Sequence, residues 1–369
     1  MSLMGGASGR GARQSGFEWA ILVPVVLLAA IGTTMLYSVA GGAFQPWADR
    51  HAMRFFVGLA LLLVIARVPL AVWARLALPI YVLALGLLLV VSVAGVEASG
   101  ARRWLRIAGM SLQPSELMKV ALVAALGRYY ELLPAQRVSH PAAVLGALAL
   151  IGMPAVLVLR QPDLGTALMF LAIGITAMLV AGVRLAYFLA GGALAAAVSP
   201  LLWHGLHDYQ RRRIEIYIDP DSDPTGAGYH IAQSKIALGS GGLTGHGLVA
   251  GSQSRLDFVP EKHTDFIFAM LGEAWGFLGT ATVIAIYALL VGMAMGLAYR
   301  AKRPLARILI AGLATTVFCY AFINVAMVSG LVPVVGVPLP FLSYGGSAMI
   351  SLMALLGLAL AAAAEGRRR

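Results

Sequence analysis

VPEKHTDFIFAML, residues 259–271, sets four ionisable side chains, Glu261, Lys262, His263 and Asp265, directly against an apolar run that continues to about residue 298. That run is longer than the roughly 20 apolar residues that cross a bilayer. The stretch therefore raises two questions together. One is whether the chain lives in a membrane. The other is why it concentrates charge at the mouth of a membrane helix.

Composition answers the first. Hydrophobic residues make up 60% of the 369 positions and charged residues 12%, whereas a soluble domain is about half apolar and a quarter charged. This is a polytopic, all-α membrane protein. Ten apolar segments are legible, at about 17–39, 51–66, 70–96, 114–127, 141–159, 164–182, 185–203, 265–298, 305–329 and 342–364. They define one transmembrane domain over 17–364, with a large loop at 204–264 between the seventh and eighth segments. Residues 1–16 are Gly- and Ser-rich and basic, lack an apolar core with a cleavage site, and read as a flexible tail or an expression scar. The single cysteine, Cys319, lies inside an apolar run, so neither a disulfide framework nor a cysteine metal site is expected.

Net charge is +11. Short connections on one side carry Arg67, Arg75, Arg128, Arg137, Arg184, Arg300, Lys302, Arg303 and Arg307. By the positive-inside rule that side is cytoplasmic, both termini are cytoplasmic (365–369 being a basic tail), and the 204–264 loop is outside. The outer side still holds Arg102, Arg103, Arg106, Arg160, Arg211, Arg212, Arg213, Lys235, Arg255 and Lys262. A cationic outer face opposes the usual bias and suits an anionic ligand, although general phospholipid contact explains it equally well.

Several outer stretches carry chemistry. QPSELMK (113–119) offers Ser115 as a helix N-cap and Glu116 in the first turn, where its charge matches the helix dipole. Lys119, one turn into a membrane helix, needs a partner or a polar cavity, and Glu116 at i−3 can supply one. In RQPDLGT (160–166), Asp163 can cap the sixth membrane helix beside Arg160. DYQRRRIEIYI (208–218) reads as an interfacial amphipathic element. DPDSDPTGAG (219–228) starts like a calcium loop, but Pro224 stands where the loop's glycine belongs. GSGGLTG (239–245) lacks the Gly-Lys-Ser/Thr of a P-loop and is expected to be a flexible loop. Asp265 is expected in the first turn of the eighth helix, with Thr264 as N-cap. Ordinary dipole matching explains such a residue, but a general base or a metal ligand needs the same carboxylate.

NVAMVSGLVPVVGVPLPFLSYGGSAM (324–349) resembles the signature of the SEDS family (shape, elongation, division and sporulation). ARRWLRIAGMSLQPSELMK, RQPDLGT, DPTGAGYHIAQSKIALGSGG and PEKHTDFIFA look like further blocks of that family, in family order. Ala348 departs from the second serine of many members. The PEKHTDF block is more similar to the elongation branch than to the division branch, which often has alanine where Lys262 stands.

The resemblance implies a bundle of about ten membrane helices and a peptidoglycan glycosyltransferase that polymerises lipid II at the outer face of the bacterial cytoplasmic membrane. The implied partners are a class B penicillin-binding protein, lipid II and the elongation machinery, with no nucleic acid. It implies Asp265 as the catalytic base, or as ligand of an activating divalent cation (Mg or Mn), and no nucleotide or organic cofactor. Pyrophosphate- and sugar-binding candidates are Arg103, Trp104, Glu116, Lys119, Arg160, Asp163, Arg211, Arg212, Lys262 and His263. The alternatives are a lipid II flippase, the division paralogue of the polymerase, and a non-enzymatic scaffold for the transpeptidase.

Overall fold

A computed structural model of the chain describes residues 18–98, 101–107, 110–205, 208–219, 222–223, 226–251 and 261–365. The tail at 1–16, Pro224, Arg255 and the terminal arginines lie outside the described residues. The membrane helices are α1 (Leu22–Val39), α2 (Ala48–Arg67), α3 (Leu70–Ala94), α4 (Pro114–Leu132), α5 (Pro141–Arg160), α6 (Leu164–Ala181) and α7 (Leu185–Gly205). After α8 (Asp208–Ile218) and α9 (Ala227–Ser240) in the large loop come α10 (Ile267–Arg300), α11 (Pro304–Val328) and α12 (Gly346–Glu365). Ten of these coincide one for one with the ten apolar segments.

Seven are long and apolar enough to cross a membrane on composition alone: α1, α3, α5, α6, α10, α11 and α12. The protein is therefore multi-pass. The remaining three depart for identifiable reasons. α2 carries Asp49, Arg50, His51 and Arg54 at its start, and α7 is apolar only over Leu185–Pro200. α4 holds Glu116, Lys119, Arg128 and Glu131. It tolerates them because it lies in the centre of the bundle, packed by α3, α5, α6, α11 and α12 and buried along most of its length. A helix facing protein rather than lipid need not be apolar.

Proline opens α4, α5 and α11 within their first two positions, where its missing N–H costs nothing. Pro114 and the N-cap Gln113 thus displace Ser115 from the expected capping position. Ser115 lies inside the first turn, and its buried hydroxyl has no partner. Asp163 does cap α6: its carboxylate accepts from the Thr166 amide (3.0 Å) and from the Thr166 hydroxyl (2.9 Å).

Between α3 and α4 the chain forms three short antiparallel strands that the helix-only reading lacked: β1 (Val96–Ala98), β2 (Ala101–Ile107) and β3 (Met110–Leu112). β2 pairs Glu97 with Arg102 on one side and Leu105 with Leu112 on the other.

α10 is not one continuous span. Gly276 has φ 64° and ψ −160° within it. At 1.5 Å per residue the whole helix would reach about 50 Å against a hydrocarbon core of about 30 Å. The break divides it into a half-helix, buried from Ile267 to Ala274, and a longer segment from 277 to 300. The Gly-rich stretch read as a flexible loop docks into this break. Its Gly242 and Leu243 carbonyls accept from the amides of Phe277 (2.9 Å) and Leu278 (3.1 Å). The amides of His246 and Gly247 donate to the carbonyls of Glu273 (3.0 Å) and Ala274 (2.9 Å). The loop thereby satisfies the backbone groups that the break exposes, as bilayer depth demands. A β-carbon on Gly276 would meet the Gly245 nitrogen at 2.5 Å.

The connections on the two ends of the bundle differ in chemistry. At one end Arg303 pairs with Glu131 (2.6 Å) and with Glu365, tying together α4, the start of α11 and the end of α12. The other end gathers the residues of functional interest.

Candidate active site

Asp265 lies in a turn (261–266) just before α10, not in the first helical turn: α10 starts at Ile267 and has no acidic residue there. The Thr264 hydroxyl does not cap the helix but bonds to the Glu261 carboxylate at 3.0 Å. Asp265 thus precedes the helix rather than lying in its first turn, and Thr264 is not its N-cap. Its side chain is mostly buried, and that burial, reinforced by the charge of Glu261, raises its pKa to about 6. Such a carboxylate is ionised near neutral pH yet is a better proton acceptor than an exposed one.

Three neighbours hold this turn. Asn324 of α11, fully buried, donates from Nδ2 to the carbonyl of Asp265 (2.8 Å) and to that of Val337 (2.7 Å). Gly336, with φ 68°, lies beneath the Asp265 carboxylate. The Tyr344 amide donates to the His263 carbonyl at 2.9 Å. The His263 ring stacks on Trp47 with centroids 4.7 Å apart, and burial lowers its pKa. The guanidinium of Arg54 lies 4.4 Å from the centre of the Tyr344 ring. Lys262, half-buried, is in the same turn.

One helical turn along α11 from Asn324 is Tyr320, the centre of a second cluster. Lys119 Nζ donates to Glu116 Oε1 (2.8 Å) and to the Tyr320 hydroxyl. That hydroxyl donates to Glu116 Oε2 (2.5 Å), which also accepts from Ser351 (3.0 Å). Lys119 and Glu116 are only 2% and 4% exposed. The expected Glu116–Lys119 pair is present, and its ammonium is already partnered inside the bundle.

Arg103, on β2, reaches across to the turn after α5. Its Nε donates to the Gln161 carbonyl (2.9 Å) and its Nη2 to that of Pro162. It thereby holds the turn that presents Asp163, while Arg160 is exposed at the end of α5. Trp104 is half-buried on the same strand. Arg211 and Arg212 lie apart from these contacts, on α8. With Glu215, Ile216 and Ser222 they line a cavity of about 430 Å³, and Arg212 is 3.8 Å from Asp223.

The sequence reading missed Trp47, Arg54, Tyr320, Asn324 and Ser351 as parts of these clusters. Asn324 and Tyr320 carried a usable signal, since a polar side chain within an apolar helix is a functional candidate. Arg54, a charge inside the 51–66 apolar segment, carried the same signal, and Trp47 carried none. Among the described residues, no three His, Cys, Asp or Glu side chains converge on a point suited to a metal ion.

A ten-helix bundle with a mostly buried carboxylate and arginines gathered at one end defines a class, and comparison supplies the family. Residues 18–368 match the model of the cell cycle proteins FtsW, RodA and SpoVE, and the chain belongs to this family. It is 40% identical over 340 residues to the peptidoglycan glycosyltransferase MrdB of Escherichia coli K12, covering 91% of this chain and 90% of that protein. It is 36% identical over 361 residues to a probable peptidoglycan glycosyltransferase FtsW of Geobacter sp. M18, covering 94% and 97%. Among solved structures, one from a study of polymerization and crosslinking by a peptidoglycan synthase complex superposes with a TM-score of 0.82 at 30% identity, covering 94% and 98%. Thermus thermophilus RodA, a rod shape determining protein, superposes with a TM-score of 0.71 at 27% identity, covering 94% and 96%.

Proposed function

We propose that this protein is a peptidoglycan glycosyltransferase that polymerises lipid II on the outer face of the cytoplasmic membrane, serving cell elongation and shape. The observation that carries the reading is Asp265, a mostly buried carboxylate with a pKa of about 6, whose main-chain carbonyl is held by the Asn324 side chain of α11. The higher identity to MrdB than to FtsW favours the elongation role over division.

In this reading the 4-hydroxyl of an acceptor GlcNAc attacks the anomeric carbon of a MurNAc carried on undecaprenyl pyrophosphate. The new C–O bond forms as the bond to pyrophosphate breaks, and the bonding pair leaves with the phosphate oxygen. Asp265 takes the hydroxyl proton. The cations Arg103, Arg160 and Lys262 offset the charge that develops on the leaving group; Arg211 and Arg212 stand apart on α8 and are left with the separate cavity they line. Trp104 and His263 supply flat surfaces for sugar. The Glu116–Lys119 pair contributes a fixed field from within the bundle.

A divalent cation at Asp265 would find Glu261 in the same turn, but the described residues do not complete a ligand set there. Asp265 acts as the base. The partner is a class B penicillin-binding protein, a pairing supported by the likeness to a structure of a peptidoglycan synthase complex. Both termini face the cytoplasm.

The test is purified protein with its transpeptidase partner and lipid II in detergent, where no membrane sidedness exists. Glycan polymer is the expected product. Its absence under conditions in which MrdB yields polymer would return the protein to the flippase or scaffold reading.

A further inference from the structure

Asn324 is fully buried in an apolar helix, where an amide is costly unless its groups are paired. It donates to two main-chain carbonyls and no others. One belongs to Asp265, the other to Val337, the residue after Gly336, over which the Asp265 carboxylate lies. A single side chain therefore clasps both backbone segments that fix where the carboxylate stands. Because Nδ2 faces these two acceptors, the amide orientation is determined, and Oδ1 remains buried without a partner.

Tyr320 precedes Asn324 by four residues, so the two lie on one face of α11, about 6 Å apart along its axis. Tyr320 holds Glu116 and Lys119 of α4 just as Asn324 holds the Asp265 turn. Both are at most 1% exposed.

We propose that Asn324 is a positioning residue for Asp265, and that Tyr320, one turn away, registers the buried Glu116–Lys119 pair to the same carboxylate, so that the two clusters form one catalytic unit. The proposal rests on Asp265 being the base. A rigid helix face between a base and a fixed cation keeps both in place without side-chain rearrangement during turnover. Displacement of a reacting group by about 1 Å can cost about 10²-fold in rate.

The test uses the full-length protein with its partner and lipid II, with each variant first shown to be monodisperse in detergent. Asn324→Leu keeps the volume but removes the donor. It is expected to lower kcat at least about 10-fold with KM for lipid II within about two-fold, because the base is misplaced while the binding surface remains. Tyr320→Phe keeps the ring under Lys119 but removes the hydroxyl, and is expected to lower kcat as well. The double variant should lose little more than the worse single variant, as residues acting in one unit do. Should Asn324→Leu fail to fold, Asn324→Val removes the donor with a smaller apolar side chain and carries the same expectation.

A kcat within about two-fold of the parent for the Asn324 variant overturns the positioning role. A double loss equal to the product of the single losses overturns the single unit. Asp265→Asn run in parallel separates these failures from failure of the base: if it retains activity, the base assignment falls first and the proposal with it.

Discussion

The Oδ2 atom of Asp265 lies 3.3 Å from the point where a β-carbon on Gly336 would stand. Gly336 has φ 68°, a conformation that side-chain-bearing residues rarely adopt. A side chain at 336 would thus be strained by this φ and would press the carboxylate aside by a few tenths of an ångström. Asp265 and Gly336 are 71 positions apart in sequence, counted from their residue numbers. One ends the charged stretch before α10 and the other lies in the loop between α11 and α12, so the contact joins the two most informative parts of the sequence in one site.

Asp265→Asn should reduce lipid II polymerisation by about 10²-fold or more, the usual range for loss of a general base. Glu261→Gln, in the same turn, should cost less. Initial rates from labelled lipid II check both. Activity of Asp265→Asn within a few-fold of the parent would leave the base unassigned.

Because the Asp265 pKa is raised to about 6, the acidic limb of the pH–rate profile should fall near 6, with activity rising as pH increases through it. A limb near 4 would mean an exposed carboxylate instead. The stability sign is opposite. A folded-state pKa raised to about 6 makes the folded protein relatively most stable below about pH 4, and that contribution is lost as pH rises through about 6. Asp265→Asn should therefore melt at the same or a higher temperature than the parent at pH 8, and a clearly lower melting temperature there would contradict the burial argument.

Lys119→Met strands the Glu116 carboxylate inside the bundle, and breaking a buried pair in this way costs about 3–5 kcal/mol. Thermal stability in detergent should drop markedly. Adding Glu116→Gln should recover most of that stability, while polymerisation stays low in both variants. Recovery of activity along with stability would make the pair purely structural.

Gly276→Ala places a β-carbon against the docked Gly-rich loop and forces φ 64° on a residue that resists it. Strain of this kind costs about 1–3 kcal/mol. The variant should melt earlier and expose the 239–247 stretch to protease. An unchanged melting curve would mean that the loop does not depend on the break.

Topology is checked with Cys319→Ser and a new cysteine, Ser222→Cys, in the loop between α8 and α9, where Ser222 is exposed. In intact spheroplasts a membrane-impermeant maleimide should label it. Protection under conditions that label a known outer-face control would invert the orientation.

The sequence by itself determined the membrane class, the ten apolar segments, the Asp163 cap and the Glu116–Lys119 pair. Each depends on composition or on spacing within about one helical turn, and such information is local. Tertiary structure decided the rest. That Gly276 breaks α10 and that the Gly-rich loop fills the break depend on backbone groups satisfied by a segment some thirty positions away, and the turn that sets Asp265 before the helix is held by Asn324 and Tyr344 from still more distant segments. The raised Asp265 pKa likewise comes from burial beneath loops that meet only in the folded bundle. Asn324 showed in the sequence as a polar residue in an apolar run, but which carbonyls it holds follows from packing, because a donor's partner in a membrane interior is set by the neighbouring segments rather than by its own helix.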